Sequence, residues 1–466
     1  MSNDERTESN VIQNVQYTAD TLRGQTMRKF KTFRTRFIVT LLITFGSLAM
    51  LLPAAEPERV SGLPLDKSRI CVTGYDHNRP DPFPGLGDFI GWVGDVTRLA
   101  NGELLFVHSA GYWHVSFATP VLLNDNLVDS YKKMGFDLNN KAPTGGRIMA
   151  CRSTDNGKTW SKPVTLYDGR LDSGPSATFA TNRGTVIQIV NMQASWYGFN
   201  EAPEGRQKLN TRQLVLRSTD HGRTWSKPAP LKSSGTYYTR GRSRILQLPD
   251  GGLLWMSYDM NKGSSVLDGT IHRSDDDGKS WRVISVIRRR KPDGDRVAAA
   301  DRVVSGDADA VLKLGKPDGD KWLDTDEGDL GRLTNGRLVL VVRPDGGTLV
   351  SDDNGVKWQQ ISRIGPKNVY APHLVVLADD TLVLTAGGSG GQCVFLSTNG
   401  GKTWSAPIKI DPTMYGYGKL TLLEDETILL PYVQAHAAPQ RCFMVRFKVN
   451  ASRDGVELLP IGESSR

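Results

Sequence analysis

One short motif, repeated five times, limits what this chain can fold into more than any other feature. We call it the box. Its strictest copies read Ser-Thr-Asp-Asn-Gly-Lys-Thr-Trp at 153–160 and Ser-Thr-Asp-His-Gly-Arg-Thr-Trp at 218–225, and looser copies occupy 274–281, 351–358 and 397–404. Asp and Ser side chains accept hydrogen bonds from nearby backbone N–H groups, and Gly permits a positive φ. We therefore predict a tight turn that staples each repeated unit, with the Trp covering apolar surface. A calcium or ligand loop is the alternative, and it would require five near-identical sites.

A second repeat consists of turn residues between two apolar runs, which is a strong hairpin signal. It occurs six times, with turns at 101–102, 182–184, 250–252, 335–336, 379–380 and 425–426. One such hairpin and one hairpin that carries a box make a four-stranded unit, and radial repetition of such units makes a propeller. We predict an all-β fold, a six-bladed β-propeller of four-stranded antiparallel blades over residues 66–450, followed by a C-terminal tail at 451–466. The sixth unit has no box, and Ile70–Thr73 is expected to add its missing strand and close the ring.

The N-terminus has the pattern of an export signal. Residues 1–36 end in a basic cluster, an apolar run spans Phe37–Pro53, and Ala54-Ala55-Glu56 follows. This order predicts a signal peptide or signal anchor over 37–55. Because 36 residues is long for the basic region, Met27 is an alternative start. We expect an exported protein, periplasmic, cell-surface or secreted, which contacts the membrane only through this segment.

Charge and cysteine content exclude some classes of function. The net charge of +8 is small for 466 residues and is scattered, whereas a nucleic-acid-binding protein should show a basic stripe. The four cysteines match no zinc pattern, and a Cys71–Cys442 disulfide or buried free thiols both fit their positions. Paired acidic stretches at 291–295 and 316–320 are interpreted as exposed turns rather than calcium ligands. No cofactor and no metal site is predicted.

The boxes on a six-blade plan resemble the BNR/Asp-box repeats of the sialidase (neuraminidase) superfamily, over roughly residues 66–450. The resemblance implies a tyrosine nucleophile paired with a glutamate, an aspartate acid/base and three arginines that hold the substrate carboxylate. A neutral phenol suits this chemistry because a carboxylate nucleophile would repel an anionic substrate. Three positions match the family motifs: Glu327 enters the fourth hairpin, Arg343 ends its return strand, and Tyr417 in Tyr-Gly-Lys-Leu enters the sixth hairpin.

Three other family positions do not match: the arginine before the first hairpin, the acid/base aspartate and the fifth-blade arginine. Asp95 and Asp137 are the candidates for the acid. Segments that enter the innermost strands of a propeller cluster at one mouth of its channel, so further polar side chains there are candidates for substrate binding: Arg240, Arg242, Asp326, Tyr370, His373 and Tyr415.

Two functions remain open at this stage. The first is an exported sialidase-like glycoside hydrolase that acts on glycans, either as an exo-α-sialidase or with an altered sugar specificity. The second is a non-catalytic carbohydrate-binding or scaffolding propeller at the cell surface. The set of Glu327, Arg343 and Tyr417 favours the enzyme, and the missing acid and arginines favour the binding protein. The distance between the Glu327 and Tyr417 side chains should separate the two hypotheses. The oligomeric state is not indicated.

Overall fold

The computed structural model describes residues 59–74, 93–110, 121–122, 141–142, 147–167, 172–193, 212–231, 238–260, 264, 266–291, 303–315, 319, 321–365, 369–388, 391–434 and 441–461. The chain divides into two compact units, Met1–Glu56 and Pro57–Arg466, and every described residue belongs to the second. The predicted leader at 37–55 thus lies outside the described residues. Within those residues, no helix combines the length and apolarity needed to cross a bilayer.

The described elements are almost all strands. The first are β1 (Val60–Gly62), the short helix α1 (Leu65–Ser68) and β2 (Arg69–Gly74). There follow β3 (Val93–Arg98), β4 (Leu104–Ala110), β5 (Val121–Leu122), β6 (Lys141–Ala142), β7 (Arg147–Ser153) and β8 (Val164–Tyr167). Next come β9 (Asp172–Ala180), β10 (Val186–Gln193), β11 (Arg212–Ser218) and β12 (Ala229–Pro230).

The central part of the chain contains the longest insertion. Its elements are β13 (Tyr238–Gly241), β14 (Leu246–Gln247), β15 (Leu253–Met260), β16 (Asp268–Ser274), β17 (Arg282–Arg290), β18 (Val303–Gly306), the helix α2 (Ala308–Leu312) and β19 (Trp322–Leu323). The next group is β20 (Gly328–Arg332), β21 (Leu338–Val342), β22 (Gly347–Ser351) and β23 (Gln359–Ser362).

The C-terminal third completes the set of strands. It contains β24 (Tyr370–Val376), β25 (Leu382–Gly388), β26 (Gly391–Ser397), β27 (Met414–Gly416), β28 (Thr421–Leu422), β29 (Ile428–Gln434), β30 (Arg441–Val449) and β31 (Val456–Leu458). The last strand lies in the segment expected to be a tail, and it pairs with β30. The sheet therefore extends to Leu458.

The strands form sheets that are arranged as a propeller, as predicted. The first sheet contains β3, β4, β7 and β8, the second β9 to β12, and the third β13 to β19. The fourth contains β20 to β23, the fifth β24 to β26, and the sixth and last β27 to β31 with β1 and β2. Strands β5 and β6 form a separate pair. Each of these sheets packs against the next, and the last packs against the first through β28 and β29 on β3. As expected, the N-terminal strand β2 joins the last sheet by pairing with β30, with Ile70 opposite Met444.

The propeller was predicted correctly, but the prediction of six four-stranded blades was wrong. Three of the larger sheets have four strands each, two have seven and one has three. The third sheet grows because the insertion after β17 folds back, so that β18 and β19 both pair with β17. The last sheet grows because β1 pairs with β31 and β2 pairs with β30.

The core lies between neighbouring sheets. The run Leu338–Val342 forms β21 and is buried on both faces, because one sheet packs against each side of it. Met256 of the third sheet, for example, belongs to the same apolar cluster as Leu330 and Leu340 of the fourth. The four cysteines are free thiols, of which Cys71 alone is exposed.

The box turns are held by their own side chains, which confirms the staple prediction. Each box begins at the last residue of the strand that is third in the order of its sheet, as Ser153 does at the end of β7. There the Gly157 N–H donates to Ser153 Oγ (2.8 Å), and the Thr159 N–H and Ser153 hydroxyl donate to Asp155 Oδ1 (2.9 and 2.8 Å). Asn156 and Gly157 have φ values of 63° and 83°, so glycine is favoured at the second position.

Asp155→Asn should cost less than about 1 kcal/mol of stability, whereas Asp155→Ala should cost about 1–3 kcal/mol. The fifth box already contains the amide: Asn399 Oδ1 accepts hydrogen bonds from the Thr403 N–H and the Ser397 hydroxyl (both 3.0 Å). The turn therefore needs an acceptor and not a charge. Urea unfolding of the two variants tests this, and equal losses for Asn and Ala would contradict it.

Candidate active site

The fourth sheet brings a glutamate and an arginine together at the ends of one hairpin. Gly328 pairs with Val342 in β20 and β21, and the Arg343 N–H donates to the Glu327 carbonyl at 2.8 Å. Their side chains meet as well, with Arg343 Nη1 3.3 Å from Glu327 Oε2. The Glu327 side chain is buried, whereas the Arg343 side chain is 40% exposed. The pair thus leaves its guanidinium partly exposed to solvent and buries its carboxylate.

Glu327 is also fixed from the fifth sheet. Its Oε2 accepts a hydrogen bond from the Ala371 N–H at 2.8 Å. Ala371 has a φ of 48°, and the pairing of β24 with β25 is irregular between Tyr370 and His373. This bend turns the Ala371 N–H toward the fourth sheet. Glu327 is therefore held by one charged and one backbone donor.

Asp326 supplies a second carboxyl group next to the Arg343 guanidinium. Its Oδ2 lies 3.5 Å from Arg343 Nε, and its Oδ1 accepts from the Glu327 N–H at 2.6 Å. Burial raises the pKa of Asp326 to about 7, the charge of Glu327 adds to the rise, and Arg343 opposes it. Near neutral pH this carboxyl can therefore gain or lose a proton.

Tyr417 lies between β27 and β28. Burial raises the pKa of its phenol well above the usual value, and the charge of Glu327 raises it further, while Arg343 and Arg242 lower it. Glu327 is thus close enough for its charge to act on Tyr417. Among the hydrogen bonds of the described residues, however, none joins the two side chains.

Aromatic side chains extend the site toward the fifth sheet. The Tyr370 and Tyr417 rings are 6.0 Å apart between centroids, and the Tyr370 hydroxyl donates to the Tyr415 carbonyl at 3.0 Å. Burial raises the pKa of Tyr370 to about 12 and also raises the pKa of Tyr415. Both phenols are therefore neutral hydrogen-bonding groups at physiological pH.

The arginines of the third sheet lie deeper than expected for substrate ligands. Arg240, in β13, and Arg242, which follows that strand, are both buried. The Arg242 guanidinium donates to the Tyr417 carbonyl and lies 4.8 Å from the centroid of the Tyr417 ring. The structure thus brings Arg242 to the predicted nucleophile rather than to the open mouth.

Asp95 and His373 lie in a buried ionic network at the centre of the ring, which we call the hub. Asp95 Oδ2 accepts from Lys419 Nζ at 2.9 Å, and His373 Nε2 lies 3.4 Å from Asp95 Oδ1 and 3.5 Å from Asp329 Oδ2. Asp329 in turn pairs with Arg244 at 3.0 Å. The first, third, fourth, fifth and sixth sheets therefore each supply a member of the hub.

The second sheet joins the hub through its backbone. Lys419 donates to the Ser176 carbonyl at 2.6 Å, and the Thr178 N–H donates to Asp95 at 2.8 Å. Burial alone would raise the pKa of Asp95, but Lys419 and His373 hold it well below its usual range. Asp95 is thus a permanent anion, which does not suit it for the role of proton donor. Asp137, the other candidate, lies outside the described residues.

His373 is held as a neutral imidazole. Its Nδ1 accepts from the Leu420 N–H at 2.9 Å, so the proton resides on Nε2, which faces Asp95 and Asp329. Burial lowers the pKa of His373 to about 4.

Lys419 and Arg244 are the hub members that sequence reasoning did not select, whereas Asp329 was expected, with Asp95 and His373, at the entrance to an innermost strand. The signal for Lys419 was a single lysine next to the leucine-rich segment Leu420–Leu423, and Arg244 stands two residues after Arg242.

Comparison with known proteins agrees with the repeats and the fold. A profile described as a BNR repeat-like domain matches residues 184–389, and one described as a BNR/Asp-box repeat matches 152–162 and 395–406. A sialidase from Bacteroides fragilis (strain YCH46) is 25% identical over 324 residues, which cover 60% of this chain and 53% of the relative. The chain spans about half the length of this relative and of a sialidase from Micromonospora viridifaciens.

Two solved structures illustrate the likeness of fold. A protein of unknown function from Dyadobacter fermentans DSM 18053 superposes with a TM-score of 0.57 at 16% identity, covering 81% of this chain and 97% of that one. The Hadza microbial sialidase Hz136 superposes with a TM-score of 0.54 at 17% identity, covering 78% and 66%. The box repeats, the propeller fold and these relatives together support a sialidase-like chain with BNR/Asp-box repeats.

Proposed function

We propose that this protein is a glycoside hydrolase in which Tyr417 is the nucleophile and Glu327 its base. The observation that supports this most directly is the convergence of the fourth and the last sheet: Arg343 is joined to Glu327 at 3.3 Å, and the charges of both act on Tyr417. A protein that only binds sugar has no need of a glutamate placed beside a buried phenol.

The proposed reaction has two steps. Glu327 takes the phenol proton as the Tyr417 oxygen bonds to the anomeric carbon, and the bond to the leaving oxygen breaks as that oxygen takes a proton from solvent. Water then attacks the same carbon, gives one proton back to solvent and releases the sugar, while the Tyr417 oxygen recovers its proton from Glu327. Because no hydrogen bond joins the two side chains, substrate binding must bring the hydroxyl and Glu327 Oε1 together.

Arg343 is the proposed substrate ligand. It is the described guanidinium that is both exposed at the mouth and joined to the reacting pair. A single arginine binds a carboxylate bidentately or several hydroxyls, so both an exo-sialidase and an altered specificity remain within the proposal. Glycans outside the cytoplasm are the proposed substrates, which the protein would reach by export through the leader at 37–55.

The test is hydrolysis by the purified full chain of aryl sialosides, uronides and neutral glycosides. We expect one class to be cleaved, Tyr417→Phe to lower kcat/KM by about 10³-fold or more, and Glu327→Gln to lower it by about 10²–10⁴-fold. Tyr432→Phe is the matched control, since Tyr432 is a buried tyrosine bonded to Asp411 away from the mouth.

If no glycoside is cleaved while a glycan array binds wild type and both variants equally, the protein is the carbohydrate-binding propeller instead.

A further inference from the structure

Arg242 joins three sheets beneath the site. It follows β13 of the third sheet, its guanidinium donates to the Tyr417 carbonyl in the last sheet, and its Nη1 lies 3.5 Å from the Val93 carbonyl in the first. Its side chain is about 1% exposed. A group that deep does not touch a substrate at the mouth, so its role must be exerted through its neighbours.

No described carboxylate forms an ion pair with Arg242. Among the described residues, Arg242 takes part in no salt bridge, and its Nε has no hydrogen-bond partner. A buried cation without a carboxylate partner is costly. The group that lies against its charge is the Tyr417 ring, 4.8 Å from the guanidinium carbon, which is within cation–π range. A phenolate spreads negative charge into that ring and therefore attracts the guanidinium more strongly than a neutral phenol does.

The backbone contact has its own consequence. Tyr417 has a φ of 61°, in the left-handed region that a bulky side chain rarely adopts. Such a conformation persists where its surroundings hold it. The hydrogen bond from Arg242 to the Tyr417 carbonyl fixes the residue in this conformation, with its ring over the guanidinium.

We propose that Arg242 is a positioning residue for Tyr417, which holds its backbone and stabilises the phenolate from the face of the ring. The inference rests on the proposed nucleophilic role of Tyr417. It replaces the expectation that Arg242 binds substrate. It also identifies what offsets the unfavourable burial of an ionised phenol when two of the family's arginines are missing.

Several titratable groups face Tyr417, and they act in opposite directions. Glu327 and Tyr415 disfavour ionisation of the phenol, Arg343 and Arg242 favour it, and Tyr370 packs against the ring. Of the two cations, Arg343 is shared with Glu327 and Asp326. Removal of Arg242 therefore takes away the cation that forms no salt bridge with a described residue, although the charges of Glu327 and Asp95 act on it from farther away.

The experiment measures the phenol itself. A trifluorotyrosine, which ionises far below the tyrosine range, is incorporated at position 417 of the full chain, and its ionisation is followed by fluorine NMR against pH. We expect Arg242→Met to raise the pKa of this phenol by at least about one unit, a tenfold change in its ionisation constant. Arg242→Lys, which keeps the charge and loses the planar fork, should restore at least half of that shift.

Arg69→Met is the matched control. Arg69 also lies over an aromatic ring, 4.5 Å from the centroid of Phe443, but away from Tyr417. Its loss should leave the pKa at position 417 unchanged. If Arg242→Met unfolds the protein, the comparison of Arg242→Lys with wild type still measures the loss of the backbone bond, through the line shape and pKa of the probe.

An unchanged pKa in a folded Arg242→Met protein would overturn the inference and leave the proposed hydrolase untouched. A shifted pKa in a protein that cleaves no glycoside would support the inference about Arg242 and contradict the proposed hydrolase.

Discussion

Lys419→Met is expected to lower the free energy of unfolding by about 3–5 kcal/mol, although Met fills nearly the same volume. Lys419 is fully buried and donates to Asp95 at 2.9 Å and to the Ser176 carbonyl at 2.6 Å. Without it, Asp95 stays in the hub as an anion whose remaining close partners are the Thr178 N–H and a neutral His373. The cost comes from the uncompensated buried charge rather than from lost packing.

The double variant Lys419→Met/Asp95→Leu is the matched control, because it removes both charges. We expect it to recover most of the loss, since replacing a whole buried ion pair by apolar groups is often neutral. Denaturant unfolding of wild type, both single variants and the double variant gives the interaction energy as a cycle. A Lys419→Met protein as stable as wild type, or a double variant less stable than either single variant, would contradict the role of the hub.

The fold was predictable because its signals are local. A box such as Ser153–Trp160 contains the donors and acceptors of its own turn, so eight residues determine the geometry without help from the rest of the chain. The same holds for Glu327 and Arg343, which lie at the two ends of one hairpin. Local patterns did not reveal that strands within an insertion would pair with the sheet, as β18 and β19 pair with β17.

The hub was not predictable for the opposite reason. Asp95 and Lys419 are 324 residues apart in sequence and meet only because the last sheet closes on the first. The sequence pattern placed Asp95 and His373 at the mouth, since both belong to segments that enter innermost strands. It could not distinguish a side chain that stops in the buried centre from one that reaches the opening. The depth of a side chain along a shared axis is a tertiary property.

Asp326→Asn is expected to remove a loss of stability that the wild-type protein suffers as the pH rises from about 4 to about 7. Burial and the negative charges of Glu327 and Asp324 raise the pKa of Asp326 from 3.8 to about 7, against the opposing effect of Arg343. Between these two values the folded protein binds a proton that the unfolded chain has released. The stability is therefore fully present below the unfolded pKa and is lost as the pH rises through the folded pKa.

The asparagine variant keeps the shape of the side chain and cannot ionise. It should match wild type near pH 4 and exceed it at pH 8 by on the order of 2–4 kcal/mol, toward the lower end because Asp326 is 15% exposed and lies against a partly exposed guanidinium. Urea unfolding at both pH values measures the difference. Asp352→Asn is the matched control of opposite sign, since Arg337 lowers the pKa of that exposed carboxyl.

A difference between wild type and Asp326→Asn that is the same at pH 4 and pH 8 would show that Asp326 is ionised throughout. In that case Arg343 would hold two carboxylates at once, and its ability to bind an acidic sugar would be correspondingly weaker. A difference that appears only at the higher pH means instead that Asp326 is mostly neutral below a pH of about 7, where the guanidinium faces a single anion, Glu327. The exposed edge of that guanidinium then remains available to a substrate, as the proposed function requires.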